Sequence, residues 1–174
     1  MSSTIGVQNI AHTNGTVAAT VDSSGNISFP AKPAFRVFKV NHQSVNNGTN
    51  TLVTWDTELW DIGNNFDLAN NKFVAPINGI YHFDCILRFT ANSGSMDICR
   101  LSAYLNGSLY CDLIQNHTAV NQLQNNHTGG GLDIQLLAND EITMIGYIEG
   151  TSPVIQGIDD TYGSRCWFSG HQVA

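Results

Sequence analysis

Charge is the scarcest commodity in this chain: only 12% of its 174 residues are Asp, Glu, Lys or Arg, although 42% are hydrophobic. Basic residues are fewest. Seven Lys and Arg face fourteen Asp and Glu, giving a net charge of −7, so no basic stripe is present to track a nucleic-acid backbone. No apolar run approaches the roughly 20 residues needed for a membrane-spanning helix, which excludes that mode of membrane insertion. The start, MSSTIGVQNIAHTNG, lacks the basic and apolar regions of a secretory signal, so we expect an intracellular, reducing site of synthesis. Cysteine is limited to Cys85, Cys99, Cys111 and Cys166, with no CxxC spacing. Free buried thiols are the simplest reading; Cys85 and Cys99 fall in successive expected strands, which leaves a bridge open.

What fills the chain instead is Asn, Thr, Ser and Gly between short alternating segments. These residues favour turns over helix interiors. AFRVFKV, TLVTW, NKFVAPI, GIYHFDCILRF, DICRLSAYL, SLYCDLI, GGLDIQLL, EITMIGYIEG and CWFSGHQVA follow one another in order. Period-two alternation at such spacing predicts an all-β sandwich or jelly roll rather than parallel βαβ units. In GIYHFDCILRF, Tyr81, Phe83, Cys85, Leu87 and Phe89 share one parity and define a buried face, while His82 lies on the other. Pro76 belongs at a strand end because it cannot donate a ladder hydrogen bond, and Asn78-Gly79 is expected to turn the corner. HTAVNQLQNNH reads as a loop.

Residues 1–31 form a separate arm, ahead of a body spanning 32–174. Asn14-Gly15 and Ser24-Gly25 predict small hairpins, the former by a type I′ turn with two left-handed residues. Its apolar positions, Ile5, Val7, Ile10, Val17, Val21, Ile27 and Phe29, are candidate anchoring residues, for a partner or for exchange between copies of this chain, since so short a piece buries little by itself.

No catalytic constellation emerges. The six histidines occur without metal-ligand spacing, HTGGGLD lacks the Lys-Ser/Thr of a phosphate loop, and no nucleophile elbow is present. An enzyme is not expected, and no cofactor is implied. The two NHT segments read as polar loop.

The order of PAFRVF, LVTWD, NNFDLANNKFVAPINGIYHF, LSAYLNG, GGGLDIQLLANDEITMIGY and CWFSG resembles the globular-head domain of complement component one, subcomponent q, a relative of tumour necrosis factor. The likeness is densest at Phe66, Asp67, Phe73, Pro76, Gly79, Tyr81 and Phe83, with Phe66 in place of a usual Tyr and Asn71 in place of a turn Gly. It implies a ten-stranded jelly roll that associates as a homotrimer, the assembly in which arms would be exchanged. Some relatives bind calcium near the trimer axis, and Asp159 and Asp160 are the residues here that offer hard oxygen ligands; the other reading is a pair of solvated loop carboxylates. The arm, in turn, is similar to the lead-in of phage virion proteins. That similarity implies a capsid decoration or cement trimer held to another virion protein, such as the major capsid protein, and assembled in the host bacterial cytoplasm. A receptor-binding fibre tip contacting host surface glycan or protein is the alternative.

Overall fold

The computed structural model describes residues 6–91, 95–117, 125–157 and 165–174, and the described residues contain strands and turns but no helix. The arm holds β1 (Asn9–Ala11), β2 (Val17–Val21) and β3 (Ile27–Ser28) in a three-stranded sheet of its own. The body opens with β4 (Ala34–Phe38), two short ladders β5 (Gln43–Ser44) and β6 (Thr51–Leu52), then β7 (Thr57–Ile62), β8 (Phe66–Asp67) and β9 (Lys72–Val74). The long strands β10 (Gly79–Ala91), β11 (Met96–Leu105), β12 (Ser108–His117), β13 (Asn125–Leu136) and β14 (Glu141–Gly150) follow, with β15 (Pro153–Ile155) and β16 (Trp167–Gln172) closing the fold.

Two sheets face each other. One runs β5-β15-β10-β16-β4-β7 with β13 added beside β10; the other runs β12-β11-β14-β9-β8 with β6 on β14. The all-β sandwich expected from the alternation is what the chain forms, and two- and three-residue ladders bring the sheets to seven and six strands. Between them lie Tyr81, Phe83, Cys85, Leu87 and Phe89 of β10, all fully buried. Phe83 packs against Phe73 at 5.3 Å and Phe168 at 5.8 Å between ring centroids, and Phe35 stacks on Phe66 at 4.9 Å. Bare backbone makes room for this aromatic slab: a Cβ at Gly170 would overlap the Phe83 ring and lie 2.9 Å from that of Phe35.

The turn between β8 and β9 shows how local chemistry sets the register. Asp67 accepts hydrogen bonds from Asn70 N at 3.0 Å and Asn70 Nδ2 at 2.7 Å, and Asn71 takes the left-handed conformation at φ 58°. Asn tolerates this region better than other non-glycine residues. Its side chain does more than a glycine would, because Asn71 Oδ1 accepts the Trp55 N–H at 2.7 Å.

Three local expectations are corrected. At Asn14-Gly15 only Gly15 is left-handed (φ 90°), so the turn is not type I′; residues 12–16 form a longer connection in which Asn14 Oδ1 accepts Thr16 N at 3.0 Å. Gly79 does not turn the corner. Residues 76–78 bend, and Gly79 already pairs with Leu136 in β10, where a Cβ would come within 2.7 Å of the Ala174 carbonyl oxygen. The segment read as a loop around residue 120 is strand at both ends, because His117 pairs with Ile98 and Asn125 with Thr90. All four cysteines are free, which settles Cys85 and Cys99 as unbridged. Burial pushes the Cys166 thiol up to about 11, so it stays protonated at neutral pH.

Candidate binding surface

The residues that carried the family likeness are mainly scaffold. Phe66, Phe73, Tyr81 and Phe83 are core, and the Tyr81 hydroxyl donates to the Ile77 carbonyl at 2.8 Å. Asp67 holds a turn, Pro76 is exposed in the bend after β9, and Gly79 opens β10. These positions shape the domain and offer no reacting group to a ligand.

The arm residues separate into two kinds. Val17 and Val21 of β2 are half-buried, whereas Val7, Ile10, Ile27 and Phe29 are exposed. Ile5 lies outside the described residues, as do Asp159 and Asp160. The arm leaves the body beside β16: Gln172 N donates to the Pro33 carbonyl at 3.0 Å, and Lys32 Nζ to the Val173 carbonyl at 3.2 Å. Among the described residues, no group of three or more His, Cys, Asp or Glu is placed to hold a metal.

Two polar assemblies stand on the body. On the outward face of the seven-stranded sheet, the His82 ring lies between Asp133 Oδ1 at 2.7 Å and Asp84 Oδ2 at 2.9 Å, with His171 5.5 Å away. The hydrogen bond to Asp133 is the main cause that holds the His82 pKa above 6.5, partly opposed by burial and reinforced by Asp84. A histidine raised in the folded state contributes stability fully present below 6.5 and lost as pH rises through the folded value. Asp133→Asn is therefore expected to move the His82 midpoint, followed by NMR, back toward 6.5 and to reduce the stability difference between pH 5.5 and pH 8.

At the end of the sandwich away from the arm, a second assembly surrounds a polar recess. It is lined by Asn47, Ser95, Asp97, Tyr147, Glu149 and Thr151, among others. Asn47 Oδ1 accepts Gly150 N at 2.8 Å, Tyr147 OH donates to Glu149, and the Arg100 guanidinium sits 4.7 Å over the Tyr147 ring. Hydroxyls, an amide and carboxylates of this kind suit the hydroxyl-rich surface of a sugar. Sequence reading missed the recess because its members come from the β5–β6 connection, the start of β11 and the end of β14, which only the folded register brings together.

Comparison with known proteins agrees with this geometry. The model of the C1q domain family matches residues 34–173. Among solved structures, the chain is similar to the globular domain of zebrafish complement 1qA protein, with 17% identity, a TM-score of 0.54, and coverage of 82% of this chain and 98% of that one. It is also similar to murine APRIL, with 15% identity, a TM-score of 0.54, and coverage of 82% and 99%. The Eiger TNF from S. frugiperda aligns with a TM-score of 0.59 at 10% identity, covering 83% and 94%. No curated protein matches the chain. With the aromatic slab, the two-sheet order and a family match over nearly all of the body, the chain belongs to the C1q domain family.

Proposed function

We propose that the chain is a homotrimeric, non-catalytic binding module that serves as a structural protein of a bacteriophage virion. The sandwich is the compact body of a capsid decoration trimer, and residues 1–31 are its anchor to another virion component such as the major capsid protein. Assembly takes place in the host bacterial cytoplasm. The observation that carries this reading is the arm: its three short strands form a sheet shared with neither layer of the sandwich, and Val7, Ile10, Ile27 and Phe29 stand exposed on it. An isolated sheet of this size is marginal in water, so a covering partner is what stabilises it.

Deleting residues 2–31 is expected to leave a folded trimer by light scattering that no longer cosediments with capsids lacking the protein. Retained capsid binding by the truncated trimer would overturn the anchor, and a monomeric full-length chain would overturn the trimer. The polar recess at the far end favours a second role, recognition of a host surface glycan from a tail or head fibre. Inhibition of infection by free protein, together with a few tens of copies per virion at most, would select it over decoration.

A further inference from the structure

Strands β10, β13 and β16 lie side by side, with Ile86 of β10 opposite Gly129 on one flank and Trp167 on the other. Two residues further along β10 is Arg88, on the same outward face as His82 and Ile86. The register sets His127 directly across from Arg88. Following the antiparallel partner back two residues from Trp167 reaches Arg165 on the opposite flank. The junction is pinned from below: the Cys166 thiol accepts the Arg88 backbone N–H at 3.0 Å and donates to the Gln156 carbonyl at 2.7 Å.

Arg88, Asn125, His127 and Arg165 line an open depression of about 470 Å³. Arg88 Nη2 donates to Asn125 Oδ1 at 3.0 Å, which orients the guanidinium and leaves the Asn125 amide N–H groups as donors. Elsewhere among the described residues Lys72 meets Glu141 at 2.6 Å, Arg100 meets Asp112 at 3.5 Å and Lys39 has Asp56 at 4.0 Å, while Arg36 stacks on the Trp167 ring and Lys32 donates to the Val173 carbonyl. Among the described residues, neither Arg88 nor Arg165 has an acidic partner. In a chain of net charge −7, two guanidiniums and an imidazole thus line one depression, with no acid among its described lining residues. Like charges set opposite each other across strands destabilise a sheet. Their proximity is felt at His127, whose pKa is held below 6.5 by burial and then by Arg88 and Arg165. An anion seated between the arginines would turn this repulsion into attraction.

We propose that this depression is an oxyanion-binding site that takes a single carboxylate, sulfate or phosphate group between Arg88 and Arg165, with Asn125 and His127 completing the donor set. Guanidinium forks match such groups in geometry as well as charge. The four donors named belong to one chain, and the proposal is independent of the virion reading. Its natural occupant is either a free inorganic anion or the acidic group of a polysaccharide, and both present the same oxygens.

The test titrates the full-length protein with sodium sulfate and, separately, with a galacturonate oligomer, following the His127 ring by NMR and heat by calorimetry at constant ionic strength. Saturable binding that shifts the His127 ring is expected, weakened at least tenfold in Arg88→Gln/Arg165→Gln and unchanged in Lys72→Gln, a charge loss on the other sheet. Equal affinity for the two probes identifies a free-ion site, and tighter binding of the oligomer identifies a polysaccharide. Arg165→Lys, which keeps the charge and loses the fork, is the second variant should the double one fail to fold, and it is expected to bind more weakly than wild type. No saturable shift at His127 with either probe, or equal affinity in the folded variants, overturns the proposal.

Discussion

Replacing Phe83 by alanine is expected to lower the unfolding free energy by about 3–5 kcal/mol, the range for emptying a well-packed aromatic site. The midpoint of chemical denaturation falls while the m-value stays constant, because the surface exposed on unfolding barely changes. Phe83 meets Phe35, Phe73, Tyr81 and Phe168, drawn from four different strands, and touches the bare backbone at Gly170. No neighbour is free to collapse into the space left behind, since each ring is itself held by others. Partial rescue by Gly170→Ala in the Phe83→Ala background, a substitution that overpacks the wild-type core, would confirm that the two positions share one volume. A loss below about 1 kcal/mol would mean that the slab relaxes, contrary to the packing described.

The second large effect concerns a buried lysine. Lys39 has a side chain only 1% exposed; its Nζ donates to the carbonyl and the hydroxyl of Thr54, both at 2.8 Å, with Asp56 4.0 Å away. Desolvation lowers the Lys39 pKa below 10.5, while Asp56 opposes that shift. Asp56 in turn accepts N–H groups from Val40 at 2.8 Å and Asn41 at 2.9 Å. Burial raises its pKa, but the hydrogen bonds from Asn41 and Val40 outweigh this and hold it below 3.8. Asp56→Ala therefore strands a buried charge and two backbone donors at once, and is expected to cost about 3–5 kcal/mol. Lys39→Met/Asp56→Asn recovers most of that loss, because an apolar side chain of similar length needs no counter-charge. The pH dependence has two parts. Asp56 contributes stability present above 3.8 and lost as pH falls through its folded value; Lys39, depressed in the fold, makes stability rise with pH between its folded value and 10.5. Thermal melts of wild type and both variants from pH 3 to pH 10 check the signs.

How far these features were legible depends on the range of the interaction behind them. The β10 core face is written in consecutive alternate residues, so period-two patterning suffices to find it. The Asn71 turn is equally local, and its left-handed conformation follows from the residue itself. Lys39 falls on the buried parity of AFRVFKV, but nothing in that heptapeptide points to Asp56, whose role depends on where β7 begins. The Asn14-Gly15 turn was misassigned because a dipeptide preference ignores the length of the connection around it. Arg88, His127 and Arg165 lay beyond reach altogether. Each is an unremarkable single charge or ring in the sequence, and only the register of β10 against β13 and the approach of the chain into β16 make them neighbours. The arm's turn dipeptides are local signals, while its failure to join either sheet of the sandwich is a tertiary fact.

The position of β16 between β10 and β4 has a consequence for how the molecule is made. Until β16 has left the ribosome, β4 lacks the neighbour that links it to the rest of its layer, and Phe35 has no Phe168 to close on. Pairings of such long sequence separation form late and slowly. A nascent chain stalled short of Trp167 thus holds an open, greasy seam, and β16 must emerge before the two layers can shut.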